Sequence, residues 1–189
     1  VVMSLDLLGE GFDLHSGGLD LVFPHHENER AQAVALGRPF ANHWMHHGFI
    51  EMGGEKMSKS LGNVMNLLDL MDTYDPRAYR LLILRSHYRS PIEVTDTSMS
   101  DAVAALDRLD AFTRRTEGLE GKPDPDVLDQ FRSAMDRDLD TPGATDLLFR
   151  LVREANTALD AGDPASAGRA AATAREIAGA VGLELRSGA

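Results

Sequence analysis

Two groups of residues in this sequence could do chemistry. The first is the run Glu55-Lys56-Met57-Ser58-Lys59-Ser60-Leu61-Gly62-Asn63, in which two lysines stand three positions apart behind Gly53 and Gly54. The glycines let the backbone bend, each ammonium group brings a positive charge and several N–H donors, and Ser58 and Ser60 can add hydroxyl donors. Such a loop suits a polyphosphate, although the bare pattern also describes a solvated turn. The second group is Phe23-Pro24-His25-His26-Glu27-Asn28-Glu29. If Pro24 occupies the first turn of a helix that runs to Gly37, His25 and Glu29 lie four residues apart on one face. An imidazole nitrogen and a carboxylate oxygen placed in this way can share one zinc ion, and they can equally form an ordinary surface pair.

These groups need elements to position them. Phe12-Asp13-Leu14-His15 alternates apolar and polar side chains before Ser16-Gly17-Gly18, as a strand running into a tight turn would, and Asp20 follows closely. Ligands of open α/β sheets sit beyond the carboxyl ends of the strands. There a glycine such as Gly17 admits a nucleotide close to the backbone, and a carboxylate such as Asp20 can accept ribose hydroxyls. Residues 42–52 read as a strand pair or a strand and turn leading to the lysine loop. Within it His43, His46 and His47 have no carboxylate or cysteine at ligand spacing, so packed or hydrogen-bonded histidines are expected. Beyond Asn63 the pattern turns helical. A short helix carries Val64, Leu67, Leu68, Leu70 and Met71, a second runs from Pro76 to about His87, and another carries Ala102, Val103, Leu106, Leu109 and Phe112. Residues 118–125 read as a linker. Three further helices are predicted over 127–138, 142–160 and 164–181, with Thr141 and Asp163 as N-caps before prolines.

The chain has 189 residues, 43% of them hydrophobic, enough for one core or for one core with a helical appendage. It has no cysteine, so it cannot by itself make a disulfide or a thiolate metal site. No apolar run is long enough to span a bilayer and the first residues lack a basic signal-peptide start, so a cytoplasmic protein without membrane partners is expected. A net charge of −11 argues against non-specific nucleic-acid binding. An RNA partner would therefore need a local basic patch, for which Arg77, Arg80, Arg85, Arg89, Arg108, Arg114 and Arg115 are the candidates.

The string Lys-Met-Ser-Lys-Ser resembles the second signature motif of class I aminoacyl-tRNA synthetases. The run from Phe12 to Glu29, with its Pro-His-His-Glu-Asn-Glu ending, resembles cysteinyl-tRNA synthetase, as does Ser86-His87-Tyr88-Arg89-Ser90-Pro91. The resemblance implies an α/β fold, the second half of a Rossmann-like nucleotide-binding domain, followed by an all-α bundle. On this basis residues 1–43 form the end of the catalytic domain with a partial zinc site. Residues 44–92 carry the signature loop and the region that contacts the tRNA stem, and 93–189 form a helical bundle of tRNA-binding type. Ser16 stands where the family usually has glycine.

The resemblance also implies a reaction. Cysteine attacks the α-phosphorus of ATP, bound with Mg2+, to give cysteinyl-adenylate, and the cysteinyl group then passes to tRNA(Cys). Lys59 and Lys56 would be catalytic, binding ATP together with Ser58, Gly17 and Asp20. His25 and Glu29 would bind the zinc that selects the cysteine thiolate. The family completes this zinc site with two cysteines from preceding sequence, where the His-Ile-Gly-His signature also lies. The 189 residues are accordingly expected to be a fragment that does not activate cysteine alone, from an enzyme that is monomeric at full length. Two other readings are the cysteine ligase of mycothiol biosynthesis and a non-catalytic remnant that binds tRNA or protein.

Overall fold

The computed structural model describes residues 1–52, 55–56 and 67–187. Ser58 and Lys59 lie outside them, and with them most of the signature loop.

The first part of the chain is a small α/β unit. Helix α1 (Val2–Leu8), which the sequence pattern did not predict, precedes strand β1 (Phe12–Gly18), helix α2 (Glu27–Ala35) and strand β2 (Ala41–His47). β1 and β2 pair in parallel, with His15 opposite Trp44 and Gly17 opposite His46. β2 thus crosses over to β1 instead of forming a hairpin with the next strand, because a parallel partner satisfies its backbone along its whole length. The expected turn at Ser16-Gly17-Gly18 is also corrected, since these residues finish the strand and the chain turns only at Leu19–Leu21. Leu5, Ala33 and Phe40 form the buried centre, with Phe12 and Trp44 against them. Val2, Met3, Leu7 and Leu8 of α1 remain exposed, as do Leu14 and Phe23.

Strand β3 (Ile50–Met52) pairs antiparallel with β4 (Glu55–Lys56) and parallel with β5 (Ile92–Glu93). Between them run α3 (Leu67–Thr73) and α4 (Pro76–Leu84), the latter capped by Asp75, whose carboxylate accepts the Arg77 N–H at 2.8 Å.

The remainder is helical. α5 (Asp96–Arg115) starts at a reciprocal cap in which Thr95 Oγ1 accepts from Ser98 N and Ser98 Oγ accepts from Thr95 N. α6 (Pro125–Asp136), α7 (Thr141–Asp160) and α8 (Pro164–Ala180) follow. The α7 cap is Asp140, one residue earlier than the sequence pattern indicates, because its carboxylate reaches Gly143 N at 2.9 Å. Asp163 caps α8 as expected. The buried face of α8 is largely alanine (Ala167, Ala170, Ala171, Ala174, Ala178), short side chains that let α7 pack closely with Leu148, Leu151 and Ala155. No helix among the described residues is long and apolar enough to cross a membrane.

Two details correct the sequence reading of this half. Residues 118–125 are no loose linker: Gly121 lies directly on the backbone of Gly168 in α8, and a Cβ on either glycine would overlap the other segment's carbonyl. Arg77, a candidate RNA contact, is only 11% exposed. It donates to Asp75, to both oxygens of Asp110 at 2.9 Å and to the Glu184 carbonyl, fastening α4 to α5 and to the chain after α8. The Asp110 contact first, then that to Asp75, raises the Arg77 guanidinium pKa above its ordinary value.

The turn between α6 and α7 holds Asp138 and Leu139 at φ 57° and 56°, a conformation that side chains other than glycine rarely adopt. It is held from outside. Arg89 and Tyr88 donate to the Asp138 carboxylate, Tyr88 Oη at 2.6 Å, and His87 Nε2 lies 3.0 Å from the Asp138 carbonyl. Arg89, then Tyr88, lowers the Asp138 carboxyl pKa to about 2. Because this pKa is depressed, the tether is complete above the ordinary value of 3.8 and is lost as pH falls toward 2. A carboxyl-carbon NMR titration of Asp138 is expected to show a midpoint near 2, moving up toward the ordinary value in Arg89→Ala. Gly121→Ala is expected to lower stability by about 1–3 kcal/mol, because packed backbone cannot yield to an added methyl, read as a fall in the thermal unfolding midpoint.

Candidate active site and metal centre

The site is built at the carboxyl end of the parallel pair. β1 delivers His15 and the two glycines there, β2 delivers Trp44 and His46, and the turn after β1 leads into α2 with His25, His26 and Glu29. The helix begins three residues later than expected. Phe23 is extended (φ −139°, ψ 135°), so Pro24 belongs to an irregular turn over Val22–His26 and the regular helix starts at Glu27.

That later start changes which side chains meet. His15 Nε2 lies 2.8 Å from Glu29 Oε2, its N–H donating to the carboxylate. His25, with its side chain 61% exposed, lies 4.0 Å from the same oxygen. His26 is nearly inaccessible at 4% exposure, and its Nδ1 is 2.8 Å from His46 Nε2, one ring donating its N–H to the other's bare nitrogen. Burial, then His15 and His46, holds the His26 pKa below its ordinary value. The His15 and His26 ring centroids are 4.6 Å apart, and Trp44 lies 5.0 Å from the first and 5.3 Å from the second.

Ligand atoms of His15, His26 and Glu29 all lie within 4.8 Å of one another. Two imidazoles and a carboxylate at this separation fit a zinc-type cation with nitrogen and oxygen donors, and His25 is poised at the rim of the same cluster. The two ligands singled out from spacing, His25 and Glu29, therefore sit in a larger set. His15 and His26 were missed as ligand-capable neighbours because β1 carries His15 to Glu29 on α2 and the irregular turn over Val22–His26 turns His26 into the same cluster. The expectation that His46 is hydrogen-bonded holds.

The glycines are needed for close approach. A Cβ on Gly17 would come within 2.7 Å of Leu21 Cδ1 and 2.9 Å of His26 Cε1, and one on Gly18 within 2.6 Å of Asp20 Oδ1. Asp20 is exposed beside them. A cavity of about 250 Å³ opens next to the histidines, lined by Val22, His26, Glu27, Arg30, Trp44 and His46. Lys59 and Ser58 lie outside the described residues, and Lys56 contributes backbone to β4 opposite Glu51.

The fold, a parallel strand pair followed by a helical bundle, is shared with class I aminoacyl-tRNA synthetases. The agnB2 LeuRS of Agrobacterium radiobacter K84, in a ternary complex with tRNA and LeuAMS, superposes with a TM-score of 0.67 at 18% identity, over 89% of this chain and 25% of that one. The methionyl-tRNA synthetase of Mycobacterium tuberculosis with methionyl-adenylate gives a TM-score of 0.66 at 19% identity, over 90% and 40%. At this level of identity the likeness is one of fold. Sequence narrows the class. The family of tRNA synthetases class I (C), catalytic domain, matches residues 1–104, and a DALR domain matches residues 130–186. Cysteine–tRNA ligases are similar throughout. That of Cutibacterium acnes is 46% identical over 170 residues (85% of this chain, 35% of the relative), and that of Pseudomonas paraeruginosa 45% identical over 186 (96% and 40%). The chain belongs to the class I (C) tRNA synthetase family, that of the cysteine–tRNA ligases, and spans about two fifths or less of the length of these relatives.

His46→Ala is expected to leave a buried His26 nitrogen without a partner. Urea denaturation should register a loss of about 1–3 kcal/mol.

Proposed function

We propose that this chain carries the second half of the active site of a cysteine–tRNA ligase, which activates cysteine with ATP and Mg2+ and transfers it to tRNA(Cys). The observation that carries the reading is the approach of His25 to Glu29 at the carboxyl end of β1, with His15 and His26 gathered around the same carboxylate, in a chain of this family. Two further features support it. The described parallel sheet has only two strands, whereas parallel sheets are normally covered and wider, and α1 exposes Val2, Met3, Leu7 and Leu8. Both fit a chain that completes its nucleotide-binding fold with further sequence, in line with the greater length of the relatives.

Within this reading residues 1–43 finish the catalytic domain, 44–92 present the signature loop and the stem-contact segment, and 93–189 form the RNA-binding bundle. Glu29 and His25 hold zinc, and His15 orients the Glu29 carboxylate through its 2.8 Å hydrogen bond. Zinc, when bound, offers a soft Lewis-acidic partner for a substrate thiolate, which serine and alanine cannot satisfy. The close-fitting Gly17 and Gly18 let the nucleotide approach the strand end, where Asp20 can accept ribose hydroxyls. Lys59 and Lys56, with Ser58, meet the ATP phosphates as charge builds on the departing pyrophosphate, which lowers the barrier to adenylate formation. The full-length enzyme is cytoplasmic and monomeric in this reading.

The test is a chimera that joins this chain to the upstream half of the Pseudomonas paraeruginosa relative. It is expected to catalyse cysteine-dependent exchange of pyrophosphate into ATP, with one zinc per chain by metal analysis. Lys59→Ala should lower kcat on the order of 10²-fold, and Glu29→Ala should remove the zinc. Exchange that ignores cysteine, or full kcat in Lys59→Ala, would sink the reading.

A further inference from the structure

Among the described residues only Asp138 and Leu139 combine a side chain with left-handed backbone, and they do so consecutively, in the turn between α6 and α7. Aspartate reaches this region at modest cost, leucine rarely does, and glycine would reach it freely at either position. Strain of this kind persists where the surroundings hold it in place. Here the holding groups are three consecutive side chains. Arg89 spans the Asp138 carboxylate, Nε to Oδ2 at 2.6 Å and Nη2 to Oδ1 at 3.0 Å, while the Tyr88 hydroxyl donates to Oδ1 and His87 Nε2 meets the carbonyl. The Arg89 guanidinium also lies 5.0 Å from the Tyr88 ring centroid, and the His87 ring stacks on Tyr88 at 4.9 Å. Stability does not account for the arrangement, because Arg89 and Asp138 are about half exposed and exposed ion pairs add little. A carboxylate kept where glycine would cost less calls for another role.

The segment that grips Asp138 also holds β3, through its backbone. Gly48 N donates to the Tyr88 carbonyl at 2.8 Å, Ile92 N to the Phe49 carbonyl at 2.8 Å and Val94 N to the Glu51 carbonyl at 3.0 Å. The approach at Gly48 is so close that a Cβ there would stand 2.3 Å from the Ser90 carbonyl oxygen. β3 has three residues and β4 two, too few to hold a place of their own, so residues 88–94 set where the pair lies. Glu51, whose carbonyl receives Val94 N–H, is the residue paired with Lys56. A continuous series of contacts therefore runs from the Asp138 carboxylate through Tyr88 and Arg89 to the backbone of Lys56.

We propose that Asp138 is a positioning residue for adenylate formation: it fixes residues 87–94 and, through them, the place at which β4 presents Lys56. This rests on the functional reading above, in which Lys56 meets the ATP phosphates, and adds to it a residue of the helical half that touches no substrate. A cationic group that must meet developing charge loses much of its effect when it is misplaced by about 1 Å.

Asp138→Gly tests the role without a folding penalty, since glycine accepts the left-handed backbone and only the carboxylate is lost. In the 189-residue chain, amide hydrogen exchange at Gly48, Ile92 and Val94 is expected to be severalfold faster in this variant, with Ala174 of α8 unchanged. In the chimera, cysteine-dependent pyrophosphate exchange, which needs no tRNA, should fall about 10- to 100-fold in kcat. The KM for cysteine and the zinc content should stay as they are, and the unfolding midpoint should be no lower than the parent's. Arg89→Ala should act alike, and the double variant should lose no more than either single one, as expected of two groups that work as a unit. Asp129→Ala, which breaks an exposed pair on α6, should leave kcat unaltered. Unchanged hydrogen exchange at Gly48, full kcat in folded Asp138→Gly, or additive losses with Arg89→Ala would each overturn the assignment. So would loss of zinc alongside kcat, or a loss confined to the transfer of cysteine to tRNA. An unaltered chimera without pyrophosphate exchange would instead strike the functional reading, and the positional role with it.

Discussion

The parallel register of β1 and β2 is the constraint on which the candidate site depends. It sets His15 across from Trp44 and Gly17 across from His46, and so decides which faces of two strands and one helix converge. A shift of one residue would turn each side chain to the opposite face of the sheet. His15 would then leave Glu29, and His46 would leave His26. The small core of Leu5, Ala33 and Phe40 resists such a slip, because Phe12 and Trp44 must reach it from the same strands. The packing that stabilises this unit therefore also aligns its chemistry.

Polar satisfaction inside the site follows from that alignment. His26 is buried and has one direct hydrogen-bond partner, and His15 faces a carboxylate. Each histidine has a defined neighbour, which fixes ring orientation before any ligand arrives and reduces the entropy lost on binding. Gly17 serves the same end from the backbone side, by letting the strand approach the His26 ring more closely than any side chain would allow.

Much of this was legible in the residues. The strand at Phe12, the cap at Asp163 and the helices of the second half follow from local alternation, capping side chains and 3.6-residue periodicity, which are properties of neighbouring residues. What escaped reading depended on distant partners. The α2 start slid from Pro24 to Glu27 because the turn before it is shaped by β1 and β2. Helix α1 carries little amphipathic signal, since only Leu5 is buried. Arg77 looks like a free surface cation until Asp110, thirty-three residues away, is seen to neutralise it. The seemingly flexible stretch around Gly121 proves to be packed because its glycine meets another glycine in α8.

The loop at residues 86–89 reaches in two directions. Its Tyr88 carbonyl accepts the Gly48 N–H at 2.8 Å at the turn into β3, while its side chains grip the Asp138 turn between α6 and α7. It is a strut with one foot at the start of β3 and the other on the turn between α6 and α7. A tie at both ends limits how far the turn between α6 and α7 can move relative to β3, so a displacement of either one is passed to the other through four consecutive residues.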